Sequence, residues 1–327
     1  MKAFRYENPV EGLRLEDVPI PEPKQDQVQI LVMAAGICHS DSHIVEGHGE
    51  RFIGRTPITL GHEVAGIVTK IGSSVHDFNV GERVAVVLPC HPVGTIDTAW
   101  SIGLSYDGGF AEYAISPASR VIKIPGDLSF QHAAVATDAL ATAFHAVVQE
   151  AGAAPGVTIG IIGLGGLGMP GLGIAVLKGA DVYGFDVTEA KFPEAIELGA
   201  KGCFKSPADA EHVSFDAVVD FYGSSETTAA AITAVRMGGR VVGVGLQSPV
   251  VNIPTSNLRN GYILKQVTLV GSLGSSVEDV KSVMEMVRSG VLKTRLTEIP
   301  FSDIPATISL LSKNAGIGRY WADPSKA

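Results

Sequence analysis

Cys38-His39-Ser40-Asp41 and Gly61-His62-Glu63 place a thiol, two imidazoles and two carboxylates on short segments that border apolar, strand-like runs. These donors suit zinc, which favours sulfur and nitrogen ligands and at a catalytic centre takes three protein ligands while keeping one position open. Cys38 and His62 supply two. The third must come from elsewhere in the chain. Asp138, in Thr137-Asp138-Ala139-Leu140, stands where a strand-rich first part hands over to a part that alternates strands and helices. Asp41 is a candidate acceptor for the other nitrogen of the His62 ring, which would fix the ring's orientation. Each residue alone has a plainer explanation: a small buried thiol, a satisfied loop histidine, a helix-capping aspartate. Their conjunction is what points to a metal.

A second set of residues points to a phosphate-bearing ligand. Gly163-Leu164-Gly165-Gly166-Leu167-Gly168 follows the apolar run 159–162 and leads into a helical stretch, the context a G-x-G-x-x-G turn requires. Gly163 permits the tight turn, Gly165 lets backbone N–H groups approach a pyrophosphate, and Gly168 lets the helix pack close to its strand. Asp186 ends the next strand 18 residues after Gly168. A carboxylate there accepts from both ribose hydroxyls and repels a 2′-phosphate, so NAD is expected rather than NADP.

The elements that would position these residues divide the chain. Strands are expected at 28–35, 63–70, 82–87, 110–115 and 120–124, with the metal-type residues on loops between them. From about 138 the pattern becomes a doubly wound parallel sheet, with strands at 157–163, 181–186, 201–204, 216–220, 240–245 and 267–271 and helices at 189–198 and 226–237. A helix at 280–288 opens a tail expected to fold back on the first module. At 327 residues, 46% hydrophobic and 18% charged, the chain is long enough for about two globular domains.

Net charge is −9 with no basic run, which removes the electrostatic footing for nucleic-acid binding. The three cysteines, Cys38, Cys90 and Cys203, are too few and scattered for a disulfide framework. With no apolar leader at the start, a cytoplasmic enzyme is expected. Residues 151–177 carry no charge, yet seven glycines between 160 and 173 and Pro170 break any spanning helix, so no membrane association is expected.

Cys-His-Ser-Asp-Ser-His at 38–43, Gly-His-Glu at 61–63, Gly-Glu-Arg-Val at 81–84 and Gly-Leu-Gly-Gly-Leu-Gly at 163–168 occur in this order. With them the chain resembles the zinc-dependent medium-chain alcohol dehydrogenases nearly end to end. The resemblance implies an α/β fold: a β-rich GroES-like catalytic domain over 1–138, a Rossmann coenzyme-binding domain over 139–275, and a C-terminal segment, 276–327, returning to the catalytic domain. It implies that Cys38, His62 and Asp138 ligate one zinc, Asp138 standing where most members have cysteine and some bacterial secondary-alcohol dehydrogenases aspartate, with Glu63 an occasional partner. It also implies His39 and Arg319 near the pyrophosphate, Lys191 near the adenosine ribose, Gly166 and Leu167 within the phosphate turn, and Thr142, Val244 and Ser272 beside the nicotinamide.

The expected reaction interconverts an alcohol and its aldehyde or ketone by hydride transfer with NAD(H), zinc acting as Lewis acid on the substrate oxygen. Ser40 would hydrogen-bond that oxygen, and His43 would exchange the proton with solvent. Partners are a small-molecule substrate and further copies of the chain, as a homodimer or homotetramer joined through 267–271 as an edge strand. One departure stands out: typical members insert a four-cysteine lobe for a second, structural zinc, and only Cys90 lies in that region here. A single zinc per chain is therefore expected, with a shortened loop over 88–106 and Leu88, His91 or Trp100 at the substrate mouth. The rivals are a zinc-free NADPH-dependent enone or quinone reductase, which would not need Cys38, His62 and Asp138 together, and a non-catalytic NAD-binding scaffold.

Overall fold

The computed structural model describes residues 1–49, 52–94, 101–255, 261–313, 316 and 318–327, and these form two compact units. Trp100 lies outside the described residues. The first unit comprises Met1–Ala139, Ser275–Ser289 and Thr294–Ala327; the second, Leu140–Gly274 and Gly290–Lys293.

In the first unit the strands are β1 (Lys2–Tyr6), β2 (Leu13–Asp17), β3 (Gln27–Ile37), β4 (Ile58–Thr59), β5 (Glu63–Ile71), β6 (Arg83–Val86), β7 (Tyr113–Pro117) and β8 (Val121–Lys123), with helices α1 (His39–Val45) and α2 (Phe130–Val135). β3 is the organising strand. It is buried along nearly its whole length, pairs with β5 along one edge, and on the other pairs first with β7 and then with β16 (Arg319–Ala322) near the end of the chain. Val, Ile and Ala dominate it, as suits a strand covered on both faces. The tail supplies α7 (Val277–Arg288), β15 (Leu296–Ile299), α8 (Ile304–Ser312) and β16, so the last strand closes a seven-stranded sheet begun by the first hundred residues. Phe4, Tyr6, Ile30, Phe110, Phe301 and Ile304 share one core, each fully buried side chain contributing about 1.5–3 kcal/mol.

The second unit is a six-stranded parallel sheet: β9 (Thr158–Ile162), β10 (Asp181–Phe185), β11 (Gly202–Phe204), β12 (Phe215–Asp220), β13 (Val235–Gly243) and β14 (Thr268–Gly271). The strand order β11-β10-β9-β12-β13-β14 reverses direction between β9 and β12, and such a reversal is where doubly wound sheets take up their ligands. Helices α3 (Ala141–Phe144), α4 (Gly168–Leu177), α5 (Phe192–Glu197) and α6 (Ser225–Ala234) belong to this unit. The α/β class expected from the pattern is the one observed.

Two local readings are corrected. Residues 38–43 are not a loop: Cys38 is the N-cap of α1, and His39 to His43 lie on the helix. The helix expected over 226–237 ends at Ala234, because Val235 turns extended (φ −66°, ψ 146°) and begins β13. β-branched Val235 and the Gly238-Gly239 pair favour that change, and burial of Val235 in the sheet core decides it.

Candidate active site

Strand register assembles the metal-type residues. In the β3/β5 pair Gly36 lies opposite Glu63, so Cys38, just past the end of β3, and His62, just before β5, emerge side by side. In the β16/β3 pair Tyr320 lies opposite Ile37, which brings Arg319 to the same end. Gly36 has a reason to be glycine that the sequence did not disclose: a Cβ there would collide with the Glu63 carboxylate. Asp138 comes from a different element, the π-helical turn Ala136–Leu140 that continues α2. It is therefore inside a helical run rather than at a cap, and such widened turns recur at functional sites because they re-aim a side chain.

The donor atoms converge. Asp138 Oδ2 lies 3.4 Å from Cys38 Sγ and 3.3 Å from His62 Nε2, and ligand atoms of Cys38, His62, Glu63 and Asp138 all fall within 4.8 Å of one another. Zinc bonds of ~2.3 Å to sulfur and ~2.0 Å to nitrogen or oxygen give tetrahedral edges of ~3.3–3.5 Å, so the two measured edges match a zinc site. Asp41 sits behind the ring, with Oδ1 3.4 Å from His62 Nδ1, while its Oδ2 accepts the Cys38 N–H at 3.0 Å. One carboxylate thus holds the turn that carries the thiol through Oδ2 and faces the imidazole across an ion-pair distance through Oδ1.

The electrostatics call for a cation. Burial opposes charge on the His62 ring, yet the Asp41 carboxylate on one side, with Asp138 and Cys38 on the other, outweighs it and raises the ring well above the ordinary imidazole value. Without a metal, a proton on the ring, together with the Arg319 guanidinium beside Glu63, is what offsets the acidic groups of the cluster.

Glu63 takes a different role from a simple ligand: its Oε1 accepts from Arg319 in a fully buried ion pair, while Oε2 has no hydrogen-bond partner among the described residues. Burial pushes this carboxyl up to about 7 against the pull of Arg319. The pairing joins residues 256 positions apart, and no sequence spacing announced it. Because removing one partner strands the other charge, Arg319→Met is expected to lower unfolding stability by about 3–5 kcal/mol, measured by denaturant titration. The double variant Glu63→Gln/Arg319→Met should recover part of that loss, and a wild-type-like midpoint for the single variant would overturn the account.

On α1, Ser40 is exposed, with Oγ 3.6 Å from Cys38 Sγ. One turn on, His43 packs edge-on against His39 with ring centroids 4.9 Å apart. Burial lowers the pKa of both rings; for His39 the neighbouring His43 adds to this, and for His43 Glu46 opposes it. Cys90 is half-buried, its N–H bonded to Ser275 O at 2.7 Å, and burial and Asp138 raise its thiol pKa. Leu88 packs against the core of the first unit and His91 is partly exposed.

The glycine turn occupies the start of α4 in the second unit. Gly163 has φ +86°, a left-handed backbone. A Cβ at Gly168 would collide with Gly163 O, so this glycine serves the close turn-to-helix approach. At Gly165, by contrast, a Cβ would meet nothing within 4 Å, so no protein neighbour requires a glycine there. An open position of this kind, beside backbone N–H groups at a helix start, suits a pyrophosphate. Gly166 and Leu167 complete the turn, Leu167 being the N-cap of α4.

Asp186 follows β10. Its Oδ2 accepts from Leu164 N–H at 2.9 Å and Lys191 Nζ at 2.8 Å, and its Oδ1 from Thr188 N–H at 2.8 Å. Val244 and Ser272 follow β13 and β14 at the same strand ends, and Thr142 is buried on α3. The buried Ser272 Oγ has no hydrogen-bond partner among the described residues, a second indication that a ligand completes this unit.

Comparison with known proteins agrees with both halves. Residues 24–126 match the alcohol dehydrogenase GroES-like domain, and residues 166–289 match the zinc-binding dehydrogenases. The chain is 30% identical over 348 residues to the NAD-dependent alcohol dehydrogenase of Sulfurisphaera tokodaii, with 98% of this chain and 99% of that one covered. Among solved structures, acetophenone reductase from Geotrichum candidum in complex with NAD superposes with a TM-score of 0.89 at 27% identity, over 99% of this chain and 97% of that one. A cobalt- and zinc-bound thermostable alcohol dehydrogenase from Pyrobaculum aerophilum gives 0.87 at 25% identity, over 99% of each. The chain belongs to the zinc-dependent medium-chain alcohol dehydrogenases. Its reaction is the NAD-linked interconversion of an alcohol and its carbonyl, with zinc and NAD as cofactors and a small molecule as substrate. Among the described residues no helix is long and apolar enough to cross a membrane.

Proposed function

We propose that Cys38, His62 and Asp138 are the three protein ligands of a single catalytic zinc, in a catalytic domain formed by the first 138 residues and the returning tail 276–327. Residues 139–275 are proposed as the coenzyme domain. The observation that carries this reading is the pair of donor separations, 3.4 Å and 3.3 Å, centred on Asp138 Oδ2. A zinc-free enone reductase or a scaffold would have no use for such a set, with a further carboxylate, Asp41, facing the other side of its imidazole.

Zinc at this centre supplies a Lewis acid for the substrate oxygen, and NAD supplies the hydride acceptor. The chain's own residues do the rest. The Ser40 hydroxyl, exposed beside Cys38, is placed to hydrogen-bond the substrate hydroxyl and to accept its proton while releasing its own in the direction of His43, one turn along α1, so that the serine stays neutral as the carbon gives up hydride. His43, neutral at physiological pH, can exchange that proton with solvent. Glu63 and Arg319 hold the floor of the site rigid. His39 and Arg319 are proposed to face the pyrophosphate, Asp186 and Lys191 the adenosine ribose, and Thr142, Val244 and Ser272 the nicotinamide.

The chain is proposed to act as a homodimer or homotetramer. β14 is an edge strand, and Ile263 and Leu273, 57% and 64% exposed, flank it with apolar surface that a second copy would cover.

The test is metal analysis of the purified protein by mass spectrometry together with NAD-linked turnover over a panel of primary, secondary and aromatic alcohols. One zinc per chain and turnover that a chelator abolishes and zinc restores are expected. Full turnover in a metal-free preparation, or NADPH-linked enone reduction without zinc, would overturn the reading.

A further inference from the structure

The fold brings His43, named above for proton exchange, together with Glu46 and His48. Their ligand atoms lie within 4.8 Å of one another, a grouping separate from Cys38, His62, Glu63 and Asp138. Three features build it. His43 and Glu46 are three apart at the end of α1, hence on one helix face. Glu46 is the C-cap, and Gly47, with φ +82°, reverses the chain in the left-handed conformation that closes a helix. The His48 N–H then donates to His43 O at 2.9 Å, which returns the second imidazole to the first. The reversal is packed on both sides: a Cβ at Gly47 would lie 2.7 Å from Pro9 Cγ, and one at Gly49 2.6 Å from Ile44 Cγ1.

We propose that His43, Glu46 and His48 form a second, reversible site for a zinc-type divalent cation, distinct from the catalytic centre. Two imidazoles and one carboxylate are a donor set zinc accepts with three protein ligands and solvent in the remaining position. A zinc tetrahedron has an edge of ~3.3 Å, within the 4.8 Å bound on the spread of these atoms. Glu46 and His48 are exposed, so solvent rather than packed protein surrounds much of their side chains. The occupant is an exchangeable ion rather than a permanent one, since two of its three ligands, Glu46 and His48, are exposed and hold it in competition with water.

A consequence follows that rests on the reading of His43 as the proton carrier. An ion on the His43 ring takes the lone pair that would receive the proton, so excess zinc should inhibit the enzyme that zinc otherwise sustains.

The test uses holoenzyme carrying its single zinc, titrated with zinc chloride. Equilibrium dialysis with metal analysis should find a second, weaker equivalent. Glu46→Gln and His48→Asn should each weaken it by at least about tenfold, a size that even outer partners of a metal ligand produce, while His76→Ala, at an exposed histidine elsewhere, should leave it unchanged. Turnover of the wild type should fall about tenfold as the second equivalent binds; each variant, compared with its own rate before zinc addition, should resist. No second equivalent, or one equally retained in Glu46→Gln and His48→Asn, overturns the proposal. A second equivalent lost in those variants but without inhibition of the wild type upholds the site and overturns the proton-carrier reading of His43 instead.

Discussion

Cys38→Ser is expected to abolish tight zinc binding and to lower kcat/KM for any alcohol by about 10³-fold or more. A Lewis acid at the substrate oxygen supplies several kcal/mol of transition-state stabilisation, and about 4 kcal/mol corresponds to a thousandfold in rate. Serine cannot substitute for the thiolate. Its hydroxyl stays protonated at neutral pH and offers a hard oxygen where zinc prefers soft sulfur, leaving His62 and Asp138 as two ligands on an open site. The fold should survive, because position 38 is the N-cap of α1 and serine is among the preferred residues there. The backbone N–H at 38 keeps its bond to Asp41 whatever the side chain. Circular dichroism close to wild type, zinc content near zero and turnover at background are thus expected together. Full activity in a metal-free Cys38→Ser protein would end the zinc assignment.

How much of this was readable in the sequence depends on how local each signal is. The parallel sheet was, because each strand is a short apolar run bounded by Gly or a charge: 157–163 was expected where β9 is Thr158–Ile162, and 181–186 where β10 is Asp181–Phe185. Its glycine turn was legible too, since three glycines at fixed spacing have few other uses. The helical character of Cys38 to His43 was not, because a seven-residue helix holding Ser40, Asp41 and Ser42 has weak propensity and is set by packing of Ile44 against the core and by the Asp41 cap. Asp138 was placed by its position between two patterns, but the π-turn that aims it leaves no mark in composition. Least legible were contacts made by register across distant strands: Gly36 beneath the Glu63 carboxylate, and Arg319 paired with Glu63. Nothing at 36, 63 or 319 signals the others until β3 has β5 on one side and β16 on the other.

Asp186→Ser is expected to lower the preference for NAD over NADP by on the order of 10³-fold, as the ratio of kcat/KM values, mostly through the two KM terms. Two contributions add. Hydrogen bonds from ribose hydroxyls to a carboxylate are worth about 1.5–3 kcal/mol, so their loss should raise KM for NAD roughly tenfold to a hundredfold. Removing the carboxylate also removes a like charge from the place where a 2′-phosphate would sit, and it frees a cation: Lys191 Nζ, now 2.8 Å from Asp186 Oδ2, would be available to that phosphate. The competing explanation is mechanical, since Asp186 also accepts the Leu164 N–H at 2.9 Å and so pins the first residue after Gly163. Asp186→Asn separates the two. Its amide oxygen can keep the Leu164 bond that pins the glycine turn, at the cost of the exposed Thr188 N–H bond, but the charge is gone. If charge governs coenzyme choice, the asparagine variant shows most of the shift toward NADP with little loss of stability. If it keeps the wild-type preference while the serine variant merely loses affinity for both coenzymes alike, Asp186 serves only to hold the turn, and its assignment to the ribose fails.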